Sequence, residues 1–169
     1  MEELYDTYSS VLLGISMRYC DSREEAEDML HESLIKILRG IQNFQETFQG
    51  SFEAWMKKIT VNNCLGALRK KTETVRLNGN EIILQESEED EIDLQFMAAD
   101  PEIVIAMIQT LPAGYRTVLN LFVFEKHTHK EISITLNISE STSKSQLSKA
   151  RSLLRKKMKE FCKVQEVKK

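Results

Sequence analysis

Glycine and proline are scarce in this chain, six and two in 169 residues. So few glycines leave little for a phosphate-cradling loop. No G-x-x-x-x-G-K-[ST] or G-x-S-x-G spacing and no His and Glu paired at metal spacing occurs, so the common signatures of nucleotide hydrolysis, acyl transfer and metal-assisted hydrolysis are missing. Cysteine is limited to Cys20, Cys64 and Cys162, far apart and without a CxxC, which argues against a disulfide framework or a zinc knuckle. His127 and His129 form an HxH pair with no cysteine or third histidine near in sequence. No metal site, no cofactor and no small-molecule substrate is expected. The apolar runs fall far short of the roughly 20 residues that cross a bilayer, and the start, MEELYDTYSS, lacks the basic-then-apolar layout of a signal peptide. The expected compartment is the cytoplasm.

What is present is helix-forming and charged. Apolar residues make up 41% of the chain, enough core for one domain or two small ones. The net charge of −3 hides three blocks: residues 1–76 hold 10 basic and 12 acidic groups, 77–115 hold 0 and 9, and 116–169 hold 13 and 5. A last block at +8 suits nucleic acid, because each lysine or arginine set against a phosphate releases condensed counterions.

Leu4, Tyr8, Val11, Leu12, Ile15 and Tyr19 recur at three and four, predicting an amphipathic helix that ends near Cys20. Asp21 or Ser22 caps the next, whose first-turn acids suit the positive helix end and whose apolar stripe is Ala26, Leu30, Leu34, Ile37 and Ile41. Its other face carries Asp28, His31, Glu32 and the aliphatic Ile35. After the loop NFQETFQGS a third helix, capped by Ser51, places Phe52, Trp55, Ile59 and Leu68 for burial and completes a small bundle. Toward its end it gathers Lys57, Lys58, Asn62, Asn63, Arg69, Lys70 and Lys71. Phe44, Phe48, Phe52 and Trp55 lie beside these cations, a combination that serves single-stranded nucleic acid by stacking bases while meeting phosphates. As a group these aromatics read as core, with one or two left exposed.

From Thr72 to Ala99 the periodicity fades and the acids of ESEEDEID collect, which reads as a flexible acidic linker. Asp100, Pro101 and Glu102 restart helix as N-cap, first helical residue and first-turn acid. Leu111-Pro112 breaks that helix, and Ala113 to Glu125 supplies another. Thr128 and Glu131 then form a capping box, Ile132 and Leu136 share a face, and Asn137 suits a left-handed turn. Ser139 or Ser141 caps a following helix with the buried stripe Ser143, Leu147, Ala150 and Leu154. Its other face offers Lys144, Ser145, Ser148, Lys149 and Ser152, with no acid between Glu140 and Glu160. Two short helices and a tight turn with one basic, hydroxyl-rich face make a helix-turn-helix suited to the major groove. The tail after Met158 is basic and expected to fray.

The order of parts, AEDMLHESLIKI, GSFEAWMKKITVNN with LRKK, an acidic linker and LPAGYRTVLNLFVFEKHTHKEISITLNISESTSKSQLSKAR, resembles the bacterial RNA polymerase sigma factors of the extracytoplasmic-function group over residues 4–158. The resemblance implies an all-α fold of two small helical domains: a region 2-like bundle over 1–72, an acidic flexible linker over 73–99, a region 4-like helix-turn-helix domain over 100–160 and a basic tail over 161–169. It implies core RNA polymerase and promoter DNA as partners, an anti-sigma factor as regulator, and membrane association only through that regulator. Asp28, Glu32 and Ile35 would face the polymerase. Phe48, Lys57, Lys58, Asn62, Asn63, Arg69 and Lys70 would meet the melted minus-ten strand, with a flipped base held by the loop Asn43 to Ser51. Lys144, Ser145, Ser148 and Lys149 would read the minus-thirty-five element. Departures from the family pattern are His31 for glutamine, Leu34 for an aromatic, Gly66 for the aspartate of NxxxDxxR, and Ser133 and Asn137 for alanine and glycine. Competing readings are a stand-alone helix-turn-helix regulator with an N-terminal sensing or dimerisation bundle, and an adaptor whose bundle blocks a partner enzyme.

Overall fold

The structure is a computed structural model, and it describes residues 2–75 and 100–167. The described residues form helices and turns without a strand, and the chain divides into two compact units, Met1–Gly79 and Asn80–Lys169. The acidic stretch read as a linker lies, from residue 76 to 99, outside the described residues.

The first unit is a bundle of α1 (Glu2–Tyr19), α2 (Arg23–Gly40) and α3 (Ser51–Val75), each packed on the other two. Ser22 caps α2, its hydroxyl accepting from the Glu25 amide at 3.2 Å. The core takes Leu12, Ile15 and Tyr19 from α1, Cys20 just after it, Ala26, Leu30, Leu34 and Ile37 from α2, and Met56, Val61, Cys64 and Leu65 from α3. Burying an aliphatic or methionine side chain of this kind is worth about 1.5–3 kcal/mol. Three expectations shift here. Val11 and Ile41 fall outside the core and are exposed. Ser51 is the first helical residue instead of the cap: the chain enters α3 through Gly50 at φ +88°, and the Ser51 hydroxyl accepts from the Thr47 amide at 3.3 Å. The buried arc of α3 runs through Met56, Thr60 and Cys64, while Phe52, Trp55, Ile59 and Leu68 are only half-buried. The reason is that α3 serves two neighbours, so its apolar surface is broad and the aromatics sit at its margin.

In the second unit Asp100 caps α4 (Pro101–Gln109), its carboxylate accepting from the Glu102 amide at 3.0 Å. The helix expected over 113–125 divides into α5 (Ala113–Leu119) and a wider π turn, Asn120–Phe124, closed by the Glu125 amide on the Asn120 carbonyl at 3.1 Å. α6 (His129–Leu136) and α7 (Glu140–Val167) follow. α5 and α6 both pack on α7, around Met107, Ile108, Leu111, Val118, Leu119, Leu121, Ile132, Leu147, Ala150, Leu154 and Met158. Arg116 is 1% exposed: its guanidinium donates to the Gln109 carbonyl at 3.0 Å and so satisfies the end of α4. One cation of the basic block is therefore spent inside the fold. The tail expected to fray after Met158 is helical through Val167.

Candidate nucleic-acid interface

In the first unit, sequence places an aromatic loop before a basic helix, and packing sorts the rings. Phe44 meets Phe52 edge-on with centroids 5.2 Å apart and Trp55 at 5.1 Å; Phe52 stacks on Trp55 at 5.8 Å and touches Tyr8 at 6.0 Å. This cluster braces the loop. Phe48 stands outside it at 63% exposure, the one ring of the four that is free to take a base. Along α3, at about 100° per residue, Lys58, Asn62 and Arg69 fall on one stripe with Lys70 beside it, and all four are exposed. Gly66 lies within that stripe, and a Cβ placed there would meet nothing within 4 Å. Lys57 is half-buried and held by Glu53 at 2.6 Å, one turn back.

Asn63 corrects the expectation that it meets DNA. It is 6% exposed and turned into the bundle. Its amide donates to the Met29 carbonyl at 3.3 Å and the Ser33 hydroxyl at 3.2 Å, and the Lys36 ammonium donates to its oxygen. One residue after the exposed Asn62, it faces α2, because neighbouring helical positions diverge by about 100°. On the solvent face of α2, Asp28, Glu32 and Ile35 are all exposed, Ile35 at 48%, a mixed acidic and aliphatic patch.

In the second unit the helix-turn-helix is locked by local chemistry. Thr128 and Glu131 form the capping box: the Thr128 amide donates to the Glu131 carboxylate at 2.7 Å, and the Glu131 amide donates to the Thr128 hydroxyl at 3.3 Å. That backbone donor, with the threonine hydroxyl, holds the Glu131 carboxyl below its ordinary range. Asn137 ends α6 in the left-handed region at φ 53°, ψ 50°, and the Ile138 amide returns to the Ser133 carbonyl at 3.1 Å. Ser139 caps α7, accepting from the Thr142 amide at 3.0 Å. Ser143, fully buried, hydrogen-bonds His129 Nδ1 at 2.9 Å, and His129 stacks on Phe122 with centroids 4.7 Å apart. Burial, then the nearby Lys144 and Arg151, lower the His129 pKa against an opposing pull from Glu140.

This scaffold presents Lys144 and Ser145 to solvent, with Ser148 and Lys149 half-exposed. The Lys149 ammonium lies 5.9 Å from the centre of the Tyr115 ring, which limits the freedom of its stem. Tyr115 and His129 carried no sequence signal as braces, since each acts through a partner many residues away. The first unit thus has a surface fit for unpaired bases and the second a surface fit for duplex.

The Sigma-70 region 2 family profile matches residues 4–74, and the Sigma-70, region 4 profile matches residues 102–154. The chain is 26% identical to the ECF RNA polymerase sigma factor SigE of Mycolicibacterium smegmatis, across 91% of this chain and 60% of that protein. It is 27% identical to the ECF RNA polymerase sigma-E factor of Haemophilus influenzae, across 92% and 85%. Its fold is similar to that of the sigma factor RpoE of Bartonella quintana, solved with the anti-sigma factor NepR, with TM-score 0.52, 18% identity and coverage of 94% and 96% of the two chains. The chain spans about three fifths of the first relative's length.

Proposed function

From the premise that this chain belongs to the sigma-70 family of RNA polymerase sigma factors, in its extracytoplasmic-function group, we propose that it is a promoter-specificity subunit with no chemistry of its own. It binds core RNA polymerase, brings it to promoters with two upstream elements and helps to open them. The observation that carries this reading is the division of surfaces within one chain. One unit exposes Phe48 in the loop before α3 and Lys58, Asn62, Arg69 and Lys70 along that helix, and the other exposes Lys144, Ser145, Ser148 and Lys149 on a capped helix-turn-helix.

Asp28, Glu32 and Ile35 face the polymerase. Phe48 stacks on an unpaired base while Lys58, Asn62, Arg69 and Lys70 hold the minus-ten strand, with Lys57 contributing less because Glu53 engages it. In the second unit the two lysines hold phosphates and Ser145 and Ser148 meet base edges of the minus-thirty-five element. The acidic segment mimics transcript phosphates in the polymerase's RNA exit channel, a role that rests on its sequence charge alone. The compartment is the cytoplasm, where the polymerase works. Among the described residues no helix is long and apolar enough to cross a membrane, and membrane association arises only through an anti-sigma partner.

Run-off transcription tests the reading: the purified chain with bacterial core polymerase on sheared DNA from the source organism, with transcript starts mapped and the chain omitted as control. Discrete starts sharing two upstream elements are the expected result. Failure to bind core removes the reading and favours a stand-alone regulator.

A further inference from the structure

The Asn63 clasp has a property that apolar packing lacks. Apolar burial is non-directional, so Met56, Val61, Cys64 and Leu65 choose which face of α3 turns inward but tolerate small rotations and slides of the helix. Hydrogen bonds are directional, and inside a protein they specify one arrangement. Asn63 engages three residues spread over about two turns of α2: the Met29 carbonyl, the Ser33 hydroxyl and the Lys36 ammonium. Ser33 itself donates to the Met29 carbonyl at 2.6 Å, so its hydroxyl is oriented to accept from Asn63. A rotation of α3 well short of the roughly 100° that separates neighbouring residues would take these bonds out of hydrogen-bonding geometry and turn Asn62 and Arg69 from their present direction. We infer that Asn63, with Lys36, is a positioning residue for strand capture: it sets the register of α3 against the polymerase-facing helix α2, so that Lys58, Asn62 and Arg69 meet the melted strand while α2 is docked. This rests on the reading of the chain as a sigma factor, and it assigns Asn63 a role through other side chains and no contact with DNA.

The test uses the full chain with core polymerase and a single-stranded oligonucleotide covering the minus-ten element of a mapped promoter. Lys36→Ala removes the exposed donor with little effect on packing, Asn63→Leu removes the buried partner, and Lys36→Arg keeps a cationic donor. The expected result is a roughly tenfold weaker hold on the strand for Lys36→Ala and Asn63→Leu, the worth of one charge-assisted hydrogen bond. Core affinity stays unchanged, and Lys36→Arg behaves as wild type. Adding Arg69→Ala to Lys36→Ala should cost less than Arg69→Ala alone, because a misaligned arginine has little left to lose. Unchanged strand affinity overturns the inference. So does a parallel loss of core affinity, which marks the clasp as holding the bundle together only, or full additivity with Arg69→Ala, which makes Lys36 a direct strand contact. If the wild-type chain directs no starts with core, the sigma reading itself fails, and this inference with it.

Discussion

Two glycine-to-alanine substitutions in the first unit should move its stability in opposite directions. Gly66 is helical, and a Cβ there meets nothing within 4 Å. Gly66→Ala therefore gains the full helix preference of alanine, about 1 kcal/mol, with part of the gain from a less disordered unfolded chain. Gly40 ends α2 at φ −90°, ψ −17°, which alanine tolerates, but a Cβ there would lie 2.9 Å from Trp55 Cζ2. The indole cannot yield freely, since Phe44 and Phe52 hold it with centroids 5.1 and 5.8 Å away. Forcing a carbon into such packing costs about 1–3 kcal/mol, so Gly40→Ala should fall below Gly66→Ala by about that amount. Trp55 is the only tryptophan in the chain, and its fluorescence reports unfolding of this unit alone. For a unit of this size 1 kcal/mol moves the melting temperature by about 4–8 °C. Upward shifts of similar size in both variants would refute the packing of Gly40 on Trp55. A fall in Gly66→Ala would refute the open, helical setting of Gly66.

Lys144→Ala with Lys149→Ala should abolish promoter choice, lower the salt slope of duplex binding by the holoenzyme by about 1.8 and spare core binding; loss of core binding would break the assignment of surfaces to units. Phe48→Ala should leave stability within about 0.5 kcal/mol, as its side chain is exposed, yet weaken minus-ten strand binding by about 1–3 kcal/mol, read by titration with an oligonucleotide. His129 has its pKa lowered by burial below the ordinary value of 6.5, so the unfolded chain takes up its proton first. Stability of the second unit is then full above 6.5 and declines as pH falls below it. Circular dichroism melts across that range should show the decline, and His129→Gln should flatten it. Ser139→Ala removes the cap on the Thr142 amide and should cost about 0.5–2 kcal/mol in the same melts.

Local signals were legible because both ends of each interaction lie within a few residues. The Thr128–Glu131 box, the Asp100 cap, the Asn137 turn and the stripe Ser143, Leu147, Ala150 and Leu154 were all readable from spacing. Asn63 was not, because its partners sit some thirty residues earlier on α2, and an amide beside lysines reads equally as a surface or an interface residue. Arg116 is indistinguishable in sequence from the other cations of the basic block, because only the fold brings the end of α4 to it. The buried arc of α3 is obscured in the sequence because large rings dominate its periodicity, while Thr60 and Cys64, which are small, are fully buried. Of the exposed surfaces, those on α2 and α7 follow from period alone.

The π turn at Asn120–Phe124 has a bearing on what sequence change this chain can absorb. A π turn takes up one residue more than the α-helix it interrupts, so chain length here sets the angle at which everything downstream is delivered. Deleting one residue between Asn120 and Phe124 would let the backbone close as ordinary helix. The stacking of Phe122 on His129, and through it the tie to Ser143, would then be dialled out of phase. Length variation in this turn would therefore retune the angle of α7 without altering Lys144, Ser145, Ser148 or Lys149.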